Sequence, residues 1–130
     1  MSESLKTAFI SILFVFICVI IHDLGQAELT KIVIKDTLDL STKAAALQLD
    51  ENVNNIGKGE FNIDVDKAKQ VNNEIIKANL GTSSEYTIST DIINAHTETN
   101  YTSPDNIQFV VNNPTVFSNI KYKYEGIFYR

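Results

Sequence analysis

The sequence contains a single cysteine, Cys18, so no disulfide bond can form within the chain. The fold must therefore be stable without one. Phe16 and Ile17 precede Cys18 directly, whereas the attachment of lipid after signal processing is expected to need small residues at these positions. We therefore do not expect a lipoprotein, and we interpret Cys18 as a small apolar residue that faces lipid or a neighbouring helix.

The sequence also lacks a cluster of basic residues. The chain carries a net charge of -5, and its only arginine is Arg130. A surface that binds nucleic acid neutralises phosphates with a basic face. Nucleic acid is therefore not an expected partner.

Side chains suited to catalysis or metal binding are sparse. His22 and His96 have no cysteine or second histidine beside them and no evident pairing of base and nucleophile. The string NIDVD at 62–66 is similar to the spaced oxygen ligands of calcium sites. However, Lys67 stands where the calcium loop needs glycine, and Asn73 where it needs glutamate. We predict no catalytic residue, no metal site, no cofactor and no small-molecule substrate, and therefore no enzyme.

One long apolar run interrupts this polar composition. Between Ala8 and Ile21, Ser11 is the only clearly polar residue. The run is shorter than the roughly 20 residues that cross a bilayer, but Lys6 can reach the headgroups on one side and His22 those on the other. We therefore predict a transmembrane helix over residues 7–24. The predicted anchor residues are Phe9, Ile12, Phe14, Phe16, Cys18 and Ile20.

The charges that flank this run predict its orientation. Lys6 lies on one side, with Asp23 and Glu28 on the other, which favours a short cytoplasmic N-terminus over 1–6 and an extracellular C-terminal domain. The expected location is the cell membrane, as a single-pass protein with the lipid bilayer as a partner.

A cleaved signal peptide is the alternative to a retained anchor. Gly25 and Ala27 are small residues at the first and third positions of a triplet that a signal peptidase can cut. The helical pattern nevertheless continues from Ala27 into Glu28 without a break. We expect a retained anchor, and Gly25 as a hinge between it and an exported helix over 25–50.

This exported helix has two apolar faces. No proline or glycine occurs from Ala27 to Leu49, and the residues are good or neutral helix formers. One stripe contains Leu29, Ile32, Val33, Leu40, Ala44 and Leu47. The second stripe, on nearly the opposite side, contains Ile34, Leu38, Ala45 and Leu49. A surface helix of a monomer needs only one stripe, so we interpret the second as a packing and assembly face, with burial in its own domain as the alternative.

The remaining residues, 51–130, predict a small extracellular α+β domain. A helix is expected over about 64–80, with Asp64 or Asp66 as its N-cap and Gly81 at its C-terminal end. Strands are expected from about 85 to 129, separated by turn-rich clusters. The predicted fold is therefore α+β, with the long N-terminal helix packed on a small antiparallel sheet and the second short helix beside it.

The order of these elements resembles that of pilin-like proteins. The chain looks most like the TadE-type minor pilins of bacterial tight-adherence pili and of related secretion or conjugation machinery. The strings LDLSTKAAA at 38–46 and DVDKA at 64–68 carry this resemblance, together with the layout of nearly the whole chain. The resemblance implies a non-enzymatic, membrane-anchored subunit that associates with other pilin-like or assembly subunits, or with itself, through apolar helix faces.

The residues leave a second function open. Cleavage after Ala27 would release an exported ligand-binding or adhesive module. The final predicted strand, Tyr122–Tyr129, carries several aromatic side chains and would be its contact surface. Packing between strands is the commoner use of such side chains.

Overall fold

The computed structural model describes residues 2–51, 60–81 and 86–127. These residues form two helices and four strands, which confirms the predicted α+β fold with a long N-terminal helix, a short second helix and small antiparallel ladders. The elements are α1 (Glu3–Ala46), α2 (Val65–Leu80), β1 (Tyr86–Ile93), β2 (Thr99–Thr102), β3 (Gln108–Val111) and β4 (Thr115–Tyr122).

Helix α1 is one uninterrupted element of 44 residues, about 66 Å long. It passes through Gly25 without a break, so the hinge stays a prediction. The helix ends at Ala46, whereas the exported helix was predicted over 25–50. It ends there because the next residues pair as a strand: Leu49 forms an antiparallel bridge with Ile63. Those backbone groups are then no longer available to a helical turn.

Helix α2 is bounded by its own side chains and by a glycine. The Asp64 carboxylate accepts hydrogen bonds from the backbone N–H groups of Lys67 and Asp66, at 3.0 and 3.1 Å, which confirms Asp64 as the N-cap. The bond from the Lys67 N–H holds the pKa of the Asp64 carboxyl below its usual value. At the other end Gly81 has a φ of 78°, which glycine adopts without a steric penalty.

The strands form two separate two-stranded antiparallel ladders, whereas a single sheet was expected. Strand β1 pairs with β4, and β2 pairs with β3. The predicted final strand, Tyr122–Tyr129, also differs: β4 ends at Tyr122, opposite Tyr86 at the start of β1. The ladder ends where its partner strand begins, and residues 123–127 lie against α1 instead. The rest of the predicted strand, 128–129, lies outside the described residues.

A small core joins the helices to the first ladder. Ala45 of α1, Ile63 and Ala68 of α2 are buried together. Ile92 of β1 and Val116 of β4 pack against them. The core is thus built largely from small side chains, which lets the two helices approach each other closely.

Asn72 links α2 to both strands of the first ladder. Its side chain is fully buried, and its Nδ2 donates to the Thr90 hydroxyl at 2.7 Å and to the Ser118 hydroxyl at 3.1 Å. Thr90 and Ser118 are directly opposite each other in β1 and β4. One amide therefore fixes the position of α2 over this pair.

Aromatic stacking attaches the second ladder to the first. The ring centroid of Tyr101 in β2 lies 4.4 Å from that of Phe117 in β4. The ring centroid of Phe109 in β3 lies 5.2 Å from that of Phe117. The Tyr101 hydroxyl donates to Asp91 Oδ2 at 2.6 Å. Burial, with a further contribution from this bond, raises the pKa of Tyr101 to about 12.

Candidate functional site

The N-terminal half of α1 presents an apolar surface that the described chain leaves almost uncovered. All six predicted anchor residues are exposed. Soluble monomers rarely expose so large a continuous apolar area. Among the described residues, α1 is the one helix long and apolar enough to cross a membrane, a criterion that a signal sequence also meets. The helix is thus compatible with a single-pass anchor or with a signal sequence.

The C-terminal half of α1 is covered along one side by the chain's own domain. Asp23, Thr37, Ser41 and Ala45 are buried. These residues recur on one face of the helix at about 100° per residue. The domain therefore packs along α1 from the end of the apolar run to the end of the helix.

The predicted assembly face lies mainly along this covered side. Ala45 is 0% exposed and belongs to the chain's own core with Ile63 and Ala68. Ile34 and Leu38 are half-buried, and Leu49 is exposed beyond the end of the helix. The structure thus brings Ala45 together with α2 and leaves Leu49 apart. An intermolecular role for these four residues stays a prediction.

The other apolar stripe is the exposed one. Leu40 is 55% exposed and Leu47 is 77% exposed, whereas Ala44 is half-buried. We define the exposed α1 stripe by the residues Leu29, Ile32, Val33, Leu40 and Leu47. It continues from the apolar N-terminal half, and at Leu29 and Val33 it borders a groove that Leu80 and Tyr122 of the chain's own domain also line.

Periodicity separated the two stripes but did not indicate which one the domain covers. The covered side includes Thr37 and Ser41, which a search for hydrophobic residues passes over. The hydroxyls of small polar side chains can bond to the helix backbone even when they are buried, as Ser41 does with the Leu38 carbonyl at 3.1 Å.

A contact that the sequence did not predict joins the C-terminal segment to α1. Asp23 is only 4% exposed. Its Oδ1 accepts a hydrogen bond from the Ile127 backbone N–H at 3.1 Å and lies 3.2 Å from the Tyr124 hydroxyl. Burial, followed by the bond to Asp23, raises the pKa of Tyr124. We call this group of Asp23, Tyr124, Gly126 and Ile127 the Asp23 clasp.

Gly126 is required by the geometry of the Asp23 clasp. A Cβ atom at this position would lie 2.8 Å from Asp23 Cγ and closer still to the carboxylate oxygens. No side chain fits there unless the carboxylate or the segment moves. Glycine therefore allows the backbone to approach the buried carboxylate directly.

The Asp23 clasp also brings Ile127 against the apolar half of α1. Ile127 shares an apolar groove with Phe14, Val15, Cys18, Val19 and His22. Asp23 was expected at an outer membrane interface, with its carboxylate in the headgroup region. That position stays a prediction, and the contact with the C-terminal segment is an addition to it. The signal for such a contact is an acidic residue at the edge of an apolar run, where a charge needs a partner.

The predicted aromatic contact strand is only partly visible. Tyr122 and Tyr124 are half-buried, and Tyr122 lines a groove with Leu80. Phe128 and Tyr129 lie outside the described residues. The contact role of this segment stays a prediction.

A shallow cleft lies between the two ladders. The aromatic rings of Tyr101, Phe109 and Phe117 line it together with the carboxylates of Asp91 and Asp105. Its volume is about 160 Å³, and Asp105 Oδ2 accepts a hydrogen bond from the Asn119 amide at 2.6 Å. The cleft is thus apolar on its ring side and acidic at its rim.

The two histidines lie in different parts of the chain, His22 on α1 and His96 after β1. His96 Nε2 lies 2.7 Å from Asn62 Oδ1, so this histidine joins two loops. Within residues 2–51, 60–81 and 86–127, no group of three histidine, cysteine, aspartate or glutamate side chains is placed to hold a metal ion.

Comparison with models of protein families, with curated proteins and with solved structures finds no match to this chain.

Proposed function

We propose that this protein is a non-enzymatic, membrane-anchored structural subunit of a bacterial surface assembly, of the pilin-like class that functions in pili, secretion or conjugation. The N-terminal half of α1 anchors it in the cell membrane, with its N-terminus in the cytoplasm. The α+β domain is displayed outside. Other subunits of the assembly, or further copies of this chain, bind along α1.

The observation that carries this proposal is the uninterrupted apolar exposure of α1. Its N-terminal half exposes apolar side chains all around, as a helix surrounded by lipid does. Its C-terminal half is covered on one side by the domain and bears the exposed α1 stripe on another. Charged residues beside that stripe, such as Asp36 and Lys43, favour a protein partner over hydrocarbon.

A lipid bilayer around the N-terminal half of α1 and a protein partner on its C-terminal half would together cover the exposed apolar surface of the helix. Apolar surface of this extent is stabilised by about 25 cal/mol for each Å² removed from water. The described domain is too small to wrap the whole helix, because its core contacts only one side of the C-terminal half. A subunit held in a bilayer and among neighbours would cover both exposed regions.

Fractionation of cells that produce the full chain tests the anchor. We expect the protein to stay with membranes through alkaline and high-salt washes and to dissolve only in detergent. We also expect its intact mass to include residues 7–24. A mature chain that begins at Glu28 and is found free in the medium would contradict the proposal.

A mature chain that begins at Glu28 and is free in the medium would favour a second function. The released chain would be a ligand-binding or adhesive module, and the specific observation in its favour is the cleft lined by Tyr101, Phe117 and Asp91. Aromatic faces beside carboxylates suit ligands that combine apolar and polar or cationic groups. Chemical-shift changes confined to these residues when ligands are added would support this alternative.

A further inference from the structure

The chain that follows β4 runs down α1 towards the apolar run. Tyr122, at the end of β4, lines a groove with residues of α1 that include Gln26 and Val33. Further along the chain, the Tyr124 hydroxyl reaches Asp23. Ile127 then shares an apolar groove with residues nearer the N-terminus of the helix: Phe14, Val15, Cys18, Val19 and His22. The segment therefore crosses the boundary between the exported half of α1 and the proposed membrane anchor.

Ile127 adds an exposed apolar side chain to the surface of the anchor. The residue is 68% exposed, although its backbone N–H is bonded to the buried Asp23 carboxylate. Val19, in the shared groove, is half-buried, whereas all other residues from Ala8 to Ile21 are exposed. Ile127 thus enlarges the apolar surface of α1 on one side without closing it off from its surroundings.

The position of the groove sets the depth that Ile127 would have in a bilayer. The predicted span ends at Leu24, and the groove is centred near Cys18, about 9 Å below Leu24 along the helix axis. Apolar faces of segments that lie in the membrane interface are buried to about 5–10 Å, at the boundary between headgroups and acyl chains. If residues 7–24 cross the membrane, the Ile127 side chain lies at this boundary on the outer side.

The Asp23 clasp supplies the hydrogen bond that the backbone needs at such a position. A backbone N–H in hydrocarbon must have a partner within the protein. The Asp23 carboxylate accepts from the Ile127 N–H at 3.1 Å, and Gly126 allows the backbone to come close to this carboxylate. The charged residues of the segment, Lys123 and Glu125, come before Gly126 and form an ion pair at 2.7 Å. The order of charged and apolar residues along the segment thus matches a passage from headgroups towards hydrocarbon.

We propose that the segment from Tyr124 to Ile127 is a second membrane contact of this protein, with the lipid bilayer as the occupant of the groove beside Ile127. The Asp23 clasp holds the segment on α1, and Ile127 enters the outer edge of the hydrocarbon next to the anchor. This inference rests on the proposed function, because it needs residues 7–24 to cross the membrane. A second contact on one side of the helix fixes which side of the domain lies towards lipid, since anchoring residues at the interface set the tilt and rotation of a membrane helix.

Fluorescence quenching by spin-labelled lipids tests this contact. The full chain carries Cys18→Ala and is reconstituted in phosphatidylcholine vesicles. Separate variants, Ile20→Cys, Ile127→Cys and Leu47→Cys, carry an environment-sensitive dye at the new cysteine. The dye at Ile20 reports the anchor. Leu47 is the control for an exposed apolar position away from the bilayer, because it is 77% exposed and lies about 35 Å along α1 from Leu24.

We expect a spin label near the lipid headgroup to quench the dye at position 127 nearly as strongly as the dye at position 20. The same lipid should leave the dye at position 47 bright. A dye at position 127 that responds like the dye at position 47 would overturn the proposed contact. A blue-shifted emission at position 127 without quenching by lipid would mean that protein covers the groove, and would overturn it as well.

Opening of the clasp tests whether the clasp positions the contact. Gly126→Ala, combined with Ile127→Cys, places a methyl group against the Asp23 carboxylate and should weaken the quenching at position 127. Gly25→Ala is the matched control and should leave the quenching unchanged. Equal quenching in the two variants would contradict the role given to the clasp. Circular dichroism of each variant checks that α1 is intact.

The dye at position 20 separates a failure of this inference from a failure of the proposed function. If lipid quenches the dye at position 20 and not the dye at position 127, the segment is not a membrane contact and the proposed function stands. If lipid quenches neither dye, the chain is not anchored through α1, and the proposed function is wrong as well.

Discussion

The Tyr124 hydroxyl lies 3.2 Å from Oδ1 of Asp23, although 101 residues separate the two in the chain. The contact ties the segment after β4 to α1 beside the apolar run. Asp23 is nearly buried, and its carboxylate accepts hydrogen bonds from this hydroxyl and from the Ile127 N–H. The Asp23 clasp therefore sets where the α+β domain sits relative to the proposed membrane surface.

Replacement of the glycine in the clasp should open it. Gly126→Ala places a methyl group against the Asp23 carboxylate. Relief of that overlap requires a shift of the segment, and overpacking of this kind lowers the free energy of unfolding by about 1–3 kcal/mol. We expect faster cleavage of the C-terminal segment in limited proteolysis, together with a lower midpoint in denaturant.

Gly25→Ala is the matched control for that experiment. Apart from the nearby backbone of α1 itself, no atom lies within 4 Å of a Cβ at Gly25, and alanine is favoured over glycine in a helix interior by about 1 kcal/mol. This variant should be as stable as the parent chain or slightly more stable. A loss of stability equal to that of Gly126→Ala would contradict the structural assignment of the clasp.

Removal of the carboxylate itself should have a related effect. Asp23→Ala removes the carboxylate that accepts from the Ile127 N–H and from the Tyr124 hydroxyl, although this hydroxyl keeps the Asp23 backbone carbonyl at 3.2 Å. We expect the loss of a buried acceptor to cost about 1–3 kcal/mol. Asp23→Asn retains an acceptor oxygen and should lose less. Hydrogen exchange at the Ile127 amide reports the clasp directly. If the amide exchanges no faster in Asp23→Ala than in the parent chain, the clasp does not persist in solution.

Asn72 should contribute more to stability than its neighbour Asn73. Asn72→Ala removes the bonds to Thr90 and Ser118 and leaves a cavity under the ladder, so we expect the free energy of unfolding to fall by about 2 kcal/mol or more. Asn73→Ala changes a half-exposed amide and should stay within about 0.5 kcal/mol. Chemical denaturation measures the free energy of unfolding of both variants. Equal losses would show that the Asn72 side chain does not hold α2 to the β1–β4 ladder.

Alkaline pH should destabilise the attachment between the two ladders. The pKa of Tyr101 is raised from 10.0 to about 12 in the folded chain. Below pH 10 the Tyr101 hydroxyl keeps its proton in both the folded and the unfolded chain, so its contribution to the free energy of unfolding is fully present. Between pH 10 and about 12 the unfolded chain loses the proton first, so the free energy of unfolding falls.

Tyr101→Phe separates this effect from other titrations. The variant keeps the ring that stacks on Phe117 but has no proton to lose. Its unfolding free energy should decline less between pH 10 and 12 than that of the parent chain, measured by denaturant titration at each pH. Since the pKa of Tyr124 is also raised, part of the decline should remain. An identical decline in both chains would contradict the role given to Tyr101.

Two substitutions on α1 should separate folding from assembly. Ala45→Glu buries a charge in the core beside Ile63 and Ala68 and should unfold the domain, with a loss above about 4 kcal/mol. Leu40→Glu changes an exposed residue and should leave the thermal unfolding midpoint nearly unchanged while it weakens self-association in membranes. Self-association that persists in folded Leu40→Glu would exclude the exposed α1 stripe as the contact.

The sequence by itself determined the elements of this protein. The apolar run and the unbroken helix formers that follow specify α1, and local chemistry specifies the ends of α2, because Asp64 bonds to N–H groups two and three residues away. Alternating and β-branched residues indicated the strands. These features depend on neighbours in the chain, so they can be predicted without the fold.

Only the tertiary structure decided which surfaces meet. Whether Ala45 or Leu40 faces the domain depends on the approach of α2, and the side it takes is the one lined by Thr37 and Ser41. The pairing of Asp23 with Tyr124 and Gly126 joins opposite ends of the sequence. Contacts of this kind depend on how the surfaces of the assembled elements fit together. The periodicity of residues along the chain does not indicate that fit.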